Sequence, residues 1–482
     1  MQKEFSKKIA NATKWSTITE VMAKLIAPIT SLVLVRVLAP DVFGIVASVN
    51  VVISFCELFT DAGFQKYIIQ HEIEKNESIY TYANIAFWTN FFISTLFLSI
   101  ICVFANDIAA LVGCPGKSLP IVVACINLPL TSFSSVQTAL LKRELNFRPL
   151  FFSRAFTVLV PILVTLPLAF ITKSYWSIII GTIVSNIVTV ITMFFLLDWR
   201  PRFEYALDLL KKMLNFSSWA LSESVLVWVI NWGDIFIVGT ILTSYYLGLY
   251  QTSMNLVNQI FSIISASVVP VLFSALSRMQ SDNSEFAKIY YRFTFLSGML
   301  LIPMGIGLFI FRETVCYVAL GTNWMDSATL IGTWGLISAF AILFNSYAST
   351  VLIAKGKPKL SVIIQIIQII FIIPTVYFSS KASFECLSYA RAAVRVIGMM
   401  IYSYEIKRIA GISIFHIINE LYPAIIATVG MGILGIWVVS LEKGHLINLL
   451  GIITCALTYI IFAVLFPNVR QECRGLLHKV KN

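Results

Sequence analysis

Charged residues are scarce in this sequence. Asp, Glu, Lys and Arg make up only 12% of its 482 residues, whereas hydrophobic residues make up 58%. A soluble domain usually carries about 25% charged residues. This shortage of charge excludes an ordinary water-soluble fold, and it indicates that most of the chain lies in a lipid bilayer.

Motifs of soluble enzymes and metal proteins are also missing. The eight cysteines include no CxxC pair and fall mostly within apolar runs, so neither a disulfide framework nor a metal site is expected. The four histidines lie singly at loops or at the ends of runs. No GxxxxGK[ST] phosphate-binding loop occurs, and no loop is long enough for an ATPase. We therefore expect no cofactor, no bound metal and no catalytic residues.

A cleavable signal peptide is not expected either. Glu20 and Lys24 interrupt the first apolar run, and no small-residue cleavage site follows it. The first run is therefore predicted to be retained as a helix.

Long apolar runs fill the rest of the chain. A helix needs about 20 apolar residues to cross the hydrocarbon core, and the sequence contains fourteen such runs bounded by charges, Pro or Gly. The runs lack the alternation of barrel strands, and backbone exposed to lipid must satisfy its own hydrogen bonds. The sequence therefore predicts an all-α integral membrane protein with about fourteen transmembrane helices.

Lys and Arg accumulate on one set of loops. With the N-terminus inside, the loops on that side hold 25 of the 35 basic residues, the opposite loops hold 6, and four lie within the runs. Because basic residues accumulate on cytoplasmic loops, both termini are predicted to be cytoplasmic. The net charge of +11 is thus a topology signal that needs no nucleic-acid partner, and the basic loops are expected to meet anionic lipid headgroups.

A weak internal repeat divides the chain into halves. KWSTITEVMAKL is repeated as SWALSESVLVWV, VLAPDVFGIV as ILTSYYLGLY, and FANDIAALVG as FRETVCYVALG. The first two pairs have an offset of 204, which places Gly44 over Gly248. The predicted parts are a six-helix lobe over 1–197, a cytoplasmic amphipathic linker over 198–213, a second six-helix lobe over 214–406, and two further helices with a cytoplasmic tail over 407–482.

Several motifs resemble a known family. Five motifs are similar to those of the Wzx-type polysaccharide flippases of the multidrug/oligosaccharidyl-lipid/polysaccharide superfamily, and the resemblance is greatest to the colanic-acid-exporter-like branch. The motifs are VRVLAPDVFGIVA, TDAGFQKYIIQ, AFWTN, QTALLKRELNFRPL and NWGDIFIVGTILTSYYLGLY. Val35 stands where that family's pattern has Ala. The residues that match its recurring pattern are Arg36, Leu38, Pro40, Phe43, Gly44, Asn231, Asp234, Gly239, Leu247, Gly248 and Tyr250.

The resemblance implies a transport function and no enzymatic activity. Such proteins flip an undecaprenyl-diphosphate-linked oligosaccharide from the cytoplasmic to the periplasmic leaflet of a bacterial inner membrane by alternating access. That glycan and the lipid bilayer are the expected partners, and polysaccharide polymerase and chain-length proteins are further candidates. One alternative is a multidrug or small-molecule exporter of the same superfamily, but the basic residues within the spans would repel a cationic cargo. The other is a membrane glycan polymerase, but such enzymes usually have a large outer loop, and the outer loops predicted here are short.

A diphosphate headgroup requires cations within the membrane. A charge at the bilayer centre costs about 2.5 to 3.5 kcal/mol, so each one needs a reason. Arg can hold phosphate oxygens with two parallel N–H groups, whereas Lys provides a point charge. Ion pairing with buried carboxylates is the alternative explanation. The predicted diphosphate-binding residues are Lys24, Arg154, Arg391 and Arg395. Arg391 and Arg395 are four residues apart, which places them on one face of a helix.

An amide stripe is the candidate for glycan contact. Gln251, Asn255, Asn258 and Gln259 follow i, i+4, i+7, i+8 spacing, which places them on one face of a helix. Amides both donate and accept, as sugar hydroxyls require, although hydrogen bonds between helices would explain them equally well. Tryptophans in the second lobe can stack on sugars or form an interfacial belt.

Four carboxylates are candidates for ion coupling, by protonation or by sodium binding. Glu57 and Asp61 are four residues apart on one helix face, and two nearby carboxylates in a low-dielectric site favour sharing a proton. The alternative for Asp61 and Asp234 is a structural role at helix ends. The other candidate is Glu223.

Overall fold

The computed structural model describes residues 2–61, 63–70, 78–441 and 444–471. These ranges are helical and contain no strand, and 13 of their helices are long and apolar enough to cross a membrane. The predicted twelfth span is a further helix, Phe384–Ala410, whose 27 residues are long enough to cross but include Arg391 and Arg395. The chain is a multi-pass all-α membrane protein, and the predicted fold class is confirmed.

The helices form two compact units, Met1–Gly248 and Leu249–Asn482. The first contains α1 (Gln2–Val37), α2 (Pro40–Asp61), α3 (Phe64–Gln70), α4 (Ile79–Val103), α5 (Ala105–Leu111), α6 (Ser118–Cys125), α7 (Asn127–Arg143), α8 (Phe147–Val160), α9 (Leu166–Thr172), α10 (Trp176–Leu196) and α11 (Leu207–Ile241). A π-helical turn, Pro161–Thr165, joins α8 to α9.

The second unit takes most of α12 (Ser244–Arg278), which begins in the first. It continues with α13 (Asn283–Ile310), α14 (Arg312–Ala319), α15 (Ala328–Ala341), α16 (Tyr347–Ala354), α17 (Pro358–Ala382), α18 (Phe384–Ala410), α19 (Ile414–Glu420), α20 (Tyr422–Ser440) and α21 (His445–Leu465). A π-helical turn, Ile342–Ser346, joins α15 to α16. These two units are defined by contacts between residues and not by the sequence repeat. The lobe boundaries derived from the repeat therefore stay a prediction.

Proline interrupts two of the predicted spans. The run predicted as the fourth span is divided at Ile126 between α6 and α7. Pro129, which has no N–H, cannot donate to the carbonyl of Cys125 four residues earlier, and this weakens the turn at that point. Pro161 likewise opens the π-helical turn after α8. The breaks do not end the spans, because Ser118–Arg143 and Phe147–Thr172 each remain one candidate membrane span.

The predicted amphipathic linker has two different parts. Residues 207–213 form the first turns of α11, which continues without a break into the span. The preceding segment is held against α4: Trp88 Nε1 donates to the Arg202 carbonyl at 2.9 Å, and Asn84 Nδ2 donates to Glu204 Oε2 at 3.1 Å. The first part of the linker is therefore fixed to the N-terminal unit.

Two glycines permit a reciprocal backbone contact between α2 and the start of α12. A Cβ on Gly44 would lie 1.7 Å from the carbonyl oxygen of Ser244, and a Cβ on Gly248 would lie 1.8 Å from the carbonyl oxygen of Pro40. Ser244 and Gly248 stand 204 positions after Pro40 and Gly44, the offset of the sequence repeat. The same contact is thus made twice, with the roles of the two copies exchanged.

The third repeat block is also similar in its local structure. FANDIAALVG and FRETVCYVALG contain the short helices α5 and α14. Each block ends at a glycine with positive φ, 77° at Gly113 and 101° at Gly321, a backbone conformation that favours glycine. Gly113 also lies against backbone, since a Cβ there would be 1.5 Å from the Gly239 carbonyl oxygen.

Candidate functional site

Two of the four predicted cations meet in the C-terminal unit. Arg391 and Arg395 are one turn apart on α18 and both lie against the indole of Trp334 on α15. The guanidinium carbon of Arg395 is 3.8 Å from the centroid of the indole, and that of Arg391 is 4.9 Å from it. Arg391 is 7% exposed and Trp334 is 2% exposed. The predicted common face of the two arginines is therefore observed, and a buried aromatic ring organises it.

Hydroxyl and amide groups hold this arrangement in place. Arg391 Nε donates to the Tyr250 hydroxyl at 3.3 Å, and Arg395 Nη1 donates to Ser338 Oγ at 2.9 Å. Trp334 Nε1 donates to Asn258 Oδ1 at 3.1 Å. We call these six residues the arginine–tryptophan cluster: Tyr250, Asn258, Trp334, Ser338, Arg391 and Arg395.

The cluster concentrates positive charge on α18, a helix that is long enough to cross a membrane. The planar guanidinium groups rest on one indole, an arrangement in which cation–π attraction fixes their orientation. Two guanidinium groups with fixed planes present N–H donors in the fork geometry that suits phosphate oxygens. The donor geometry of such a pair matches a ligand with two neighbouring negative charges.

The other two predicted cations lie in the N-terminal unit. Lys24 is on α1 and Arg154 is on α8, and both side chains are exposed. These two helices pack against each other, with the rings of Trp15 and Phe151 4.9 Å apart. The two residues thus occupy neighbouring helices, and their role in binding stays a prediction.

Only one member of the predicted amide stripe belongs to the cluster. Asn258 accepts the indole N–H of Trp334. Gln251 and Gln259 are half-buried, and Asn255 is exposed. Glycan contact by the stripe stays a prediction.

Among the predicted ion-coupling carboxylates, Glu57 lines two cavities of the N-terminal unit. The larger, about 430 Å³, also contains Lys66, Trp228, Asn231 and Trp232. The smaller, about 200 Å³, is lined by Glu57, Thr60, Gln65, Asn90, Thr131, Ser132 and Ser135.

The remaining carboxylates contribute less to this picture. Asp234 is buried, and its Oδ1 accepts the backbone N–H of Ile235 at 2.9 Å, which is consistent with the structural alternative. The side chains of Asp61 and Glu223 lie outside the described residues. No group of three or more His, Cys, Asp or Glu suited to a metal occurs in the described parts of the chain.

Several site residues were not predicted from the sequence. Trp334 and Ser338 are spaced i, i+4 within an apolar run, a weak signal that also fits ordinary packing. Asn90 gave a somewhat better signal, because an amide within an apolar span needs a polar partner. Neither pattern indicates which residue on another helix is the partner.

Known proteins are similar to this chain. The family model described as "Polysaccharide biosynthesis protein" matches residues 33–329. An uncharacterized membrane protein in the cps region of Klebsiella pneumoniae is 25% identical over 376 residues, which cover 77% of this chain and 76% of that protein. The succinoglycan biosynthesis transport protein ExoT of Rhizobium meliloti (strain 1021) is 22% identical over 331 residues, 69% of this chain and 66% of that protein.

A solved structure has the same fold. The lipid II flippase MurJ, in an inward closed conformation, aligns with a TM-score of 0.72 over 93% of this chain and 98% of its own. Its sequence is only 13% identical. The likeness therefore concerns the fold, while the chemistry must come from the residues of this chain.

Proposed function

We propose that this chain, which belongs to the polysaccharide biosynthesis protein family, moves a lipid-diphosphate-linked oligosaccharide across a membrane. The family expected from the motifs is confirmed by the match over residues 33–329. The proposed cargo is an undecaprenyl-diphosphate-linked glycan, carried from the cytoplasmic to the periplasmic leaflet of a bacterial inner membrane by alternating access. The protein is proposed to act as a transporter rather than an enzyme.

The observation that supports this proposal most is the arginine–tryptophan cluster. A cation within the membrane is costly and is therefore a mark of a functional site, and here two guanidinium groups share one buried indole. A diphosphate supplies neighbouring negative charges that match such a pair. An organic-cation cargo would be repelled by the same two groups.

Lys24 and Arg154 are proposed to assist with the headgroup, and Gln251, Asn255, Asn258 and Gln259 with the sugars. Asn258 supports the division of roles, since it contacts the indole on which the arginines rest. A polysaccharide polymerase and chain-length proteins are proposed to receive or regulate the exported glycan.

Transport in proteoliposomes tests this function directly. Purified protein should accelerate the transfer of a fluorescent undecaprenyl-diphosphate oligosaccharide between leaflets by more than about tenfold over protein-free liposomes, which corresponds to a barrier lowered by about 1.4 kcal/mol. Ethidium, an organic cation, is the matched cargo for the multidrug alternative. Transfer of ethidium without transfer of the lipid-linked glycan would reject the proposal in favour of that alternative.

The proposed orientation has both termini in the cytoplasm, as the distribution of Lys and Arg predicts. Reporter fusions after Lys117, Lys173 and Lys381 should give a periplasmic signal. Fusions after the positions on the other side should give a cytoplasmic signal, and these positions are Arg148, Lys212 and Lys359. Opposite signals at two or more of the six positions would reject the orientation.

A further inference from the structure

A small cavity in the N-terminal unit is lined only by polar side chains. Its volume is about 200 Å³, and the helices that supply most of the lining, α2, α4 and α7, belong to candidate membrane spans. Polar groups buried away from water are unfavourable unless they have partners, and a polar cavity of this kind is ordinarily filled. The chemistry of the lining indicates what fills it.

The four hydroxyl groups of the lining have hydrogen-bond partners within the protein. Ser135 Oγ accepts from Gln65 Nε2 at 2.9 Å. Each of the other three hydroxyls donates to a carbonyl of its own helix, which leaves its oxygen lone pairs available to the cavity. These hydrogen bonds run from Thr60 Oγ1 to the Glu57 carbonyl at 3.3 Å, from Thr131 Oγ1 to the Leu128 carbonyl at 2.9 Å, and from Ser132 Oγ to the Pro129 carbonyl at 3.0 Å.

Asn90 adds a buried acceptor. Its side chain is 1% exposed, and its Oδ1 has no hydrogen-bond partner among the residues that the structure describes. Asn90 lies on α4, opposite the hydroxyls of α7, and both line the same cavity. An amide oxygen requires a donor or a cation.

Among the side chains that the structure describes, one carboxylate contributes charge to the lining. Glu57 is the only ionisable residue of this described lining, and it also lines the larger cavity that contains Lys66. One carboxylate with a lysine on its other side is too little negative charge for a divalent ion, while carboxylate, amide and hydroxyl oxygens are the ligands that hard cations prefer.

We propose that this cavity binds a monovalent metal cation of the Na⁺ class. Glu57, Asn90, Thr131 and Ser132 would supply oxygen ligands from three helices. Of the two predicted ion-coupling carboxylates whose side chains the structure describes, Glu57 and Asp234, Glu57 lines the cavity. The other proposed ligands were not predicted as ion ligands. The site concerns the ion alone and does not depend on the identity of the transported glycan.

Binding of ²²Na⁺ to the full-length protein in nanodiscs tests the site. Choline replaces Na⁺ in the reference buffer at constant ionic strength, and no glycan is added. The wild-type protein should bind ²²Na⁺ saturably. Asn90→Leu and Ser132→Ala should each lower the affinity by at least about tenfold, as loss of support for a bound metal does, whereas Asn90→Asp should retain binding because it keeps an oxygen at the position.

Ser134→Ala is the matched control. Ser134 lies on the same helix, its hydroxyl donates to the Thr131 carbonyl at 3.2 Å, and it does not line the cavity; its removal should leave ²²Na⁺ binding unchanged. Melting temperatures provide the second measurement: NaCl should raise that of the wild type relative to choline chloride, and should not raise that of Ser132→Ala.

Two results would overturn the proposal. The first is a wild-type protein that neither binds ²²Na⁺ nor gains stability from it, which would mean that water alone fills the cavity. The second is a ²²Na⁺ affinity equal to that of the wild type in both single variants, Ser132→Ala and Asn90→Leu. If Asn90→Leu does not fold, the single variant Glu57→Gln takes its place. Since no glycan is present, either result would leave the proposed transport function untouched.

Discussion

Arg395→Ala is expected to abolish export of the lipid-linked glycan while leaving the protein folded in the membrane. The substitution removes the guanidinium group that lies 3.8 Å from Trp334 and donates to Ser338. A hydrogen bond to a charged group contributes about 1.5 to 3 kcal/mol, so losing a forked pair should slow transport by about a hundredfold or more. Lys24→Ala is expected to act in the same direction.

Proteoliposome transfer rates, corrected for the amount of reconstituted protein, measure this effect. Arg395→Lys keeps the charge and loses the fork, so it should give an intermediate rate. Arg408→Ala is the matched control, because Arg408 lies on the same helix, is exposed, and pairs with Glu405 at 3.1 Å. Full transport by Arg395→Ala and Lys24→Ala would mean that these charges are structural.

Gly44→Ala is expected to prevent stable folding. The new Cβ would lie 1.7 Å from the Ser244 carbonyl oxygen and 2.5 Å from its carbonyl carbon, and neither atom can rotate away because both are backbone. Overpacking ordinarily costs about 1 to 3 kcal/mol when side chains can adjust, so a clash with rigid backbone should exceed this range. Gly248→Ala should have the same effect through the Pro40 carbonyl.

Gly307→Ala provides the comparison. Gly307 lies within α13, and a Cβ there would meet no atom within 4 Å. Alanine in an open helical position should be neutral or should stabilise the helix by up to about 1 kcal/mol. Yield of monodisperse protein and melting temperature in detergent measure all three variants. Equal melting temperatures for Gly44→Ala and Gly307→Ala would contradict the close contact.

The helical fold could be predicted because it depends on quantities local to the chain. Each span needs only enough apolar residues to cross the hydrocarbon core, and each is visible without knowledge of its neighbours. Element ends were less predictable. The first apolar run begins at about residue 15, whereas α1 begins at Gln2, because hydropathy reports where lipid begins and helical hydrogen bonding continues beyond it.

The candidate site could be predicted only in part. Spacing alone placed Arg391 and Arg395 on one face, and the structure agrees. The partner of both, Trp334, lies on another helix more than fifty residues away, and no periodicity within α18 records which helix packs against it. The amide stripe shows the same limit, since only Asn258 received a partner in the cluster.

The reciprocal contact of the two glycines has the geometry of an isologous interface. In a two-fold dimer, residue i of one subunit contacts residue j of the other, and j contacts i in return. Subtracting the repeat offset of 204 makes Ser244 equivalent to Pro40 and Gly248 equivalent to Gly44. The contact of Gly44 with Ser244 and that of Gly248 with Pro40 therefore follow this rule. Because both copies lie in one chain, the interface needs two glycines where a two-fold dimer would need one in each identical subunit, and a change at either position disturbs one half of the contact.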